Sequence, residues 1–198
     1  LCAGGRQHHR QAEALEHGVV DAERLGGAGL RKRLELAALR ALEPEGFERL
    51  RRAMGDPDRL ERWLGQRSSE IEELFAEHGI ALRKVEFRVK DVASIWRKMN
   101  AKGIGLSEIH DILGLRLVVD DVDAVYSALA LLQSRFTSAG PVKDYVAQPK
   151  PNGYRSVHAV LAAADGQRFE VQLRTTEMHR WAEAQHWAYK AGMLGAAV

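Results

Sequence analysis

Apolar positions fall at helical spacing through the first part of the chain and then change to strand-like runs. Leu30, Leu34, Ala37, Ala38 and Leu42 keep one helical face and predict a helix over 30–42. Pro44 separates it from a second short helix over 45–54. Asp56 suits an N-cap with Pro57 in the first turn, and Leu60, Trp63, Leu64, Ile71, Leu74 and Phe75 then recur at helical steps until Gly79. Ahead of these helices, residues 1–29 are rich in Gly, His and Arg, and Ala12, Leu15, Val19 and Ala22 hint at one short helix. Residues 1–79 therefore read as a helical segment.

From Ile80 the period changes. Residues 80–90 read as a strand of imperfect alternation. Residues 93–102 read as a helix with Ile95 and Met99 inward, ended by Gly103, and 106–111 as a connector. Residues 112–119 form an apolar run of strand length. Asp120, Asp121 and Asp123 open a helix, where acidic groups favour the positive end of the dipole. Val122, Val125, Tyr126, Leu129 and Leu132 are its expected buried stripe. Two further strands, 155–162 and 168–174, are joined through Asp165-Gly166, a hairpin signal. In the second of them Glu170, Gln172 and Arg174 alternate with Phe169, Val171 and Leu173, so one face is polar and the other apolar. A final helix over 177–190 carries Trp181, Trp187 and Tyr189. The order predicts an α/β (α+β) domain over 80–198.

Composition narrows this picture only a little. With 198 residues the chain is long enough for one sizeable domain plus a helical appendage. A net charge of +2 is too mild to imply nucleic-acid binding. The single cysteine, Cys2, cannot form an internal disulfide and fits a reducing, cytoplasmic setting. No apolar run approaches the ~20 residues needed to span a bilayer. The start has neither an initiator Met nor a hydrophobic signal core, and reads as a piece of something longer. His8, His9 and His17 lack Cys or carboxylate partners nearby and read as surface residues, not as a metal site.

Candidate chemistry concentrates in residues 143–158, KDYVAQPKPNGYRSVH. Pro149, Pro151, Asn152 and Gly153 make a sharp turn. Beyond it Tyr154, Ser156 and His158 share one strand face, with Lys143 and Lys150 close in sequence. An aromatic ring, a hydroxyl, an imidazole and two ammonium groups suit a base with phosphates. They equally suit a hairpin with a solvated basic loop. Two isolated carboxylates, Asp111 and Glu170, stand among the cations Arg88, Lys90, Lys98, Arg116, Lys143 and Lys150. That mixture suits Mg²⁺ and polyphosphate, because Mg²⁺ takes one or two carboxylates plus substrate phosphates, while Lys and Arg neutralise the remaining charge. The alternative is that Asp111 caps a turn and Glu170 pairs with Arg174. Neither GxxxxGK[ST] nor GxGxxG occurs, which argues against P-loop and Rossmann sites. HExxH, CxxC and GxSxG are also absent, so zinc and serine hydrolysis have no support.

Five blocks, RVKDVASIWRKM (88–99), HDILGLRLVV (110–119), KDYVAQPKPNGYRSVH (143–158), FEVQLRT (169–175) and MHRWAEAQHWAYK (178–190), resemble the RelA/SpoT family of alarmone synthetases in order and spacing. The resemblance implies a nucleotidyltransferase-like fold, a mixed β-sheet flanked by helices. It implies transfer of pyrophosphate from ATP to the ribose 3′-hydroxyl of GTP or GDP, with Mg²⁺ (Mn²⁺ as a substitute) as cofactor and AMP as product. It implies that Arg88 and Arg116 sandwich adenine and that Lys90 and Lys98 contact the ATP phosphates. By the same resemblance Asp111 and Glu170 are the catalytic metal ligands, Glu170 also assisting deprotonation. Tyr154 would stack on guanine, with Lys143, Lys150, Asn152, His158 and Gln172 on the acceptor side. Members of toxin systems use tRNA 3′ ends or adenine nucleotides instead, and a catalytically weak nucleotide-binding regulatory module is a further alternative. Ribosome contact and homo-oligomers are not readable from the sequence. Two features depart from the pattern. Pro141 stands where many bifunctional members have Arg, ahead of Lys143-Asp144, and the hydrolase signature (a His-Asp pair with a downstream Glu-Asp) is absent. Residues 22–44 look like the tail of the family's hydrolase domain and its linker helices, so no hydrolase activity is expected of this chain.

Overall fold

The computed structural model describes residues 28–190, with side chains described over 33–185. The hinted helix over 12–22, the three N-terminal histidines and the side chains of Trp187 and Tyr189 fall outside these. The first helices form where the apolar spacing puts them: α1 (Ala28–Leu42), α2 (Pro44–Met54) and α3 (Pro57–Glu77). Pro44 and Pro57 sit in first turns, where a missing N–H breaks no helical bond. The Asp56 carboxylate accepts from the Asp58 backbone N–H at 3.1 Å and caps α3.

The sheet contains β1 (Lys84–Val89), β2 (Leu113–Val119), β3 (Thr137–Ser138), β4 (Lys143–Asp144), β5 (Val157–Ala162) and β6 (Arg168–Thr175). Its order is β1-β2-β6-β5-β3, with β4 also pairing on β5. Only β2 and β6 run parallel; the other pairs are antiparallel. Helices α4 (Val92–Lys102), α5 (Val122–Arg135) and α6 (Thr176–Lys190) connect or follow the strands. Asp91 and Asp121 cap α4 and α5, accepting from the backbone N–H groups of Ser94 and Ala124.

One sheet face is apolar, and α3 and α5 cover it. Leu64, Ile71 and Phe75 of α3 and Val125, Ala128 and Leu132 of α5 are fully buried with Leu115, Leu117, Val157, Leu161, Phe169, Val171 and Leu173 of the strands. Each of the Val, Leu, Ile and Phe side chains contributes roughly 1.5–3 kcal/mol by leaving water. The third N-terminal helix is thus part of the sheet's core. Helices α1 and α2 pack on α4 instead, through Leu39, Phe47, Ala93 and Trp96, and through Leu50 and Ile95.

Three expectations shift. The strand expected over 80–90 begins only at Lys84, because the Ile80 N–H bonds the Phe75 carbonyl at the end of α3 and is unavailable to a ladder. The strand expected over 155–162 begins at Val157; the residues before it bond back to the preceding loop, Ser156 accepting from the Tyr145 N–H and Tyr154 from that of Lys150. Tyr126, expected in the buried stripe of α5, is 38% exposed. The stripe centres on Val125, Ala128 and Leu132, and the Tyr126 hydroxyl donates to Asp144 at 3.0 Å.

Candidate active site

The polar sheet face follows from register. One row runs Arg88, Gly114, Glu170, Val160; the next runs Glu86, Arg116, Gln172, His158, Lys143. Directly paired residues point to the same face, so the alternation in β6 extends across five strands. Nothing lies within 4 Å of where a Gly114 Cβ would stand, which leaves open space between Arg88 and Glu170. A cleft of about 760 Å³ lies over this face, lined by Arg88, Arg116, Asn152, Tyr154, Gln172 and Arg174, and on its far side by Trp181 and Glu183 of α6.

At one end stands Asp111, just before β2. Its two oxygens accept from the Lys90 ammonium at 2.6 Å and the Lys98 ammonium at 2.8 Å. Lys90 follows β1 and Lys98 lies on α4, so three consecutive elements build the cluster. Burial pushes the Asp111 carboxyl up, but the two lysines outweigh it and hold it down at about 2. Arg116 lies further along β2, and its Nη1 donates to Glu86 at 2.8 Å and to Glu183 at 3.0 Å. The guanidinium is thereby fixed by its edge.

The other end is held by hydrogen bonds. The Glu170 oxygens face His158 Nδ1 at 3.2 Å and the Gln172 amide nitrogen at 2.8 Å. The Tyr154 hydroxyl meets His158 Nε2 at 2.8 Å. Arg174 Nη2 donates to the Tyr154 oxygen and, at 3.1 Å, to Gln172 Oε1. Burial raises the Glu170 carboxyl, and His158 and Gln172 more than offset it, so the group stays below its ordinary value; the Asp111 charge works against them. The expected alternative, a Glu170–Arg174 pair, does not form, because Arg174 turns to Tyr154 and Gln172. The Tyr154 ring has the Lys150 ammonium 5.3 Å and the Arg174 guanidinium 4.9 Å from its centroid.

The turn that presents Tyr154 is tightly specified. Gly153 donates to the Lys150 carbonyl at 2.8 Å, and Asn152 Oδ1 accepts from the Tyr154 N–H at 3.1 Å. Gly153 has φ +79°, and Trp181 packs against it.

Seven of the twelve residues singled out from sequence fall into two clusters, Lys90, Lys98 and Asp111, and Tyr154, His158, Glu170 and Gln172. Arg88, Arg116 and Asn152 lie along the cleft. Lys150 lies over Tyr145 and Tyr154, and Lys143 is exposed at the outer end of its row. Sequence reasoning left Arg174, Glu86 and Glu183 out of the site, although period-two alternation already put Arg174 beside Gln172. Nothing in the sequence marks Glu183, which reaches Arg116 from α6. Among the described residues no group of three or more His, Cys, Asp or Glu could hold a metal by itself. Asp111 and Glu170 are two hard carboxylates with lone pairs beyond those already engaged, which fits an ion that completes its shell with water and phosphate. No described helix is long and apolar enough to cross a membrane.

Comparison with known proteins identifies the family. A family model described as a region found in RelA/SpoT proteins matches residues 87–193. A guanosine-3′,5′-bis(diphosphate) 3′-pyrophosphohydrolase of Aquifex aeolicus is 38% identical over 186 residues, 91% of this chain and 27% of that protein. A GTP pyrophosphokinase of Haemophilus influenzae is 37% identical over 180 residues, 88% of this chain and 24% of that protein. The chain thus spans about a quarter of the length of these relatives. Among solved structures, the small alarmone synthetase 1 of Bacillus subtilis bound to its product pppGpp superposes with a TM-score of 0.57 at 30% identity, covering 67% of this chain and 77% of that one. The small alarmone synthetase 2 of the same organism gives a TM-score of 0.59 at 27% identity, covering 70% and 80%.

Proposed function

The chain belongs to the RelA/SpoT family, and on that footing we propose that it transfers a pyrophosphoryl group from ATP to the ribose 3′-hydroxyl of GTP or GDP. The acceptor oxygen attacks the β-phosphorus of ATP, the bond from that phosphorus to the α–β bridging oxygen breaks, and AMP leaves. In this proposal residues 80–198 carry the transferase site and 1–79 the preceding helical segment.

The observation that carries the reading is that Arg88, Arg116 and Glu170 share one sheet face under a cleft of about 760 Å³, within the range of nucleotide-sized pockets, with Asp111, held by Lys90 and Lys98, close enough for its charge to act on Glu170. Arg88 and Arg116 offer guanidinium planes for the donor base, Arg116 being fixed by Glu86 and Glu183 at its edge. Lys90 and Lys98 each have three N–H donors, so they hold Asp111 and still reach phosphate oxygens. Asp111 and Glu170 would hold Mg²⁺, which supplies charge neutralisation on the transferring phosphates. An un-ionised alcohol is a weak nucleophile, and Glu170 accepts the 3′-hydroxyl proton. On the acceptor side a guanine stacked on Tyr154 takes the position of the Lys150 ammonium, which turns to the acceptor phosphates. Asn152 and His158 hold the Tyr154 backbone and hydroxyl, Gln172 orients Glu170, and Lys143 lies at the rim.

The test is to incubate the chain with ATP, Mg²⁺ and each of GTP, GDP, GMP and tRNA, and to separate the products. AMP and a 3′-pyrophosphorylated guanosine nucleotide are expected, and their formation should be abolished in Asp111→Ala and Glu170→Ala while circular dichroism stays native. Unchanged turnover in either variant overturns the assignment. No hydrolase activity is assigned; release of pyrophosphate from ppGpp would contradict that.

A further inference from the structure

The hydrogen bonds around Glu170 close into a ring. Arg174 reaches Tyr154, Tyr154 reaches His158, His158 reaches Glu170, Gln172 reaches Glu170, and Arg174 reaches Gln172. Five side chains from β5, β6 and the loop before β5 take part. Elementary donor bookkeeping gives the ring a direction. A guanidinium has donors only, so the Tyr154 oxygen and Gln172 Oε1 both accept from it. The Gln172 amide nitrogen is then left to donate to Glu170, and the Tyr154 hydrogen is free to go to His158 Nε2. We infer that it does, so that His158 Nε2 accepts and the imidazole hydrogen sits on Nδ1, facing Glu170. In that arrangement two donor chains leave Arg174 and both end on the same carboxylate.

Arg174 is placed to anchor them. It is 3% exposed, a charged side chain almost never so buried without a reason. No described carboxylate bonds it. Its Nε lies 3.4 Å from the Ser156 hydroxyl, which itself donates to the Leu173 carbonyl at 3.0 Å, so the guanidinium is held from behind as well. A buried cation without a carboxylate bond is costly, and here its donors are taken by the neutral Tyr154 oxygen, Gln172 Oε1 and Ser156 hydroxyl.

We propose that Arg174 is a positioning residue that fixes Tyr154 and Glu170 relative to each other, so that the acceptor's base platform and the group receiving its proton are set by one guanidinium. The inference rests on the pyrophosphoryl-transfer reading for its kinetic consequence, but not for its geometry. Replacing Arg174 disturbs acceptor binding through Tyr154 and the chemical step through Glu170, while Lys90, Lys98 and Asp111 lie outside its hydrogen bonds.

The geometry is tested on the wild-type chain without substrate. ¹⁵N-resolved NMR of the imidazoles should show His158 as the Nδ1–H tautomer; the Nε2–H tautomer overturns the ring's direction whether or not the chain makes alarmone. The kinetics are tested on Arg174→Met and Arg174→Lys. For Arg174→Met the acceptor KM should rise and kcat should fall, each roughly tenfold, with the ATP KM changing severalfold less than the acceptor KM, and Arg174→Lys should recover part of both. In a Tyr154→Phe background the same Arg174→Met change should cost severalfold less, because one chain is already cut. A loss of kcat alone, in proportion to folded fraction, or full additivity with Tyr154→Phe, overturns the proposal.

Discussion

Gly153 offers a perturbation whose size can be worked out in advance. Its φ of +79° lies in the left-handed region, and Gly166 has nearly the same value, +80°. Placing a side chain in that conformation costs roughly 1–2 kcal/mol at either position. The surroundings differ. A Cβ at Gly153 would lie 3.0 Å from Trp181 Cζ2 and 3.6 Å from Cε2 and Cη2, whereas a Cβ at Gly166 meets nothing within 4 Å. Carbon pairs prefer about 3.5–4.0 Å, so Gly153→Ala must push either the indole or the turn. Overpacking of this kind adds on the order of 1 kcal/mol. For a chain of this size each kcal/mol lowers Tm by roughly 2–4 °C, so Gly153→Ala should melt a few degrees below Gly166→Ala in differential scanning calorimetry. Only Gly153→Ala displaces Tyr154, its chain neighbour, and only it should raise the acceptor KM, roughly three- to tenfold, with the ATP KM unchanged. Equal melting losses and an unaltered acceptor KM in both variants would refute the claim that Trp181 against Gly153 sets the turn.

Two further outcomes follow from packing and charge. Phe75 of α3 is fully exposed to no solvent at all, at 0%, inside the sheet's core; Phe75→Ala should cost roughly 3–5 kcal/mol in urea unfolding, and a loss below 1 kcal/mol would mean that α3 is not part of that core. Asp111 is held at about 2 against an ordinary 3.8, which at about 1.4 kcal/mol per pH unit makes roughly 2 kcal/mol of stability. Its folded value is the lower one, so that contribution is complete above about pH 4 and fades as the pH falls toward 2. In metal-free buffer Asp111→Asn should therefore lose stability near neutrality and show a flatter decline between about pH 4 and 2, read from urea midpoints; parallel profiles for variant and wild type would contradict the pairing with Lys90 and Lys98.

Much of this architecture is written locally. Pro57 after Asp56, Gly79, the acid cluster before Val122 and the Asp165-Gly166 turn each mark a boundary through the backbone behaviour of a few neighbouring residues, and the corresponding elements stand where those residues put them. Site residues on the polar face are legible for the same reason: alternation in β6 puts Glu170, Gln172 and Arg174 together before any tertiary contact is known. The misses are non-local. Ile80 has strand-like character, yet its N–H is taken by the Phe75 carbonyl. Tyr126 fits an apolar spacing, yet a partner eighteen positions later, Asp144, draws its hydroxyl outward. Glu183 belongs to the site only because α6 returns across the cleft to Arg116, and Arg174 abandons the nearby Glu170 because Tyr154 arrives from the loop before β5.

The one parallel pairing in the sheet, β2 with β6, bears on the order in which the site can come into being. Lys90, Lys98 and Asp111 come from successive elements, so they can gather as soon as β1, α4 and β2 have left the ribosome. Glu170 joins them only when β6 docks beside β2, with Gly114 opposite Glu170, after α5 and the whole β4–β5 region have been made. Loop closure of that length is slow compared with local assembly. A nascent or truncated chain ending before β6 would carry the lysine–aspartate cluster without its second carboxylate, and could gather phosphate groups without being able to pass them on.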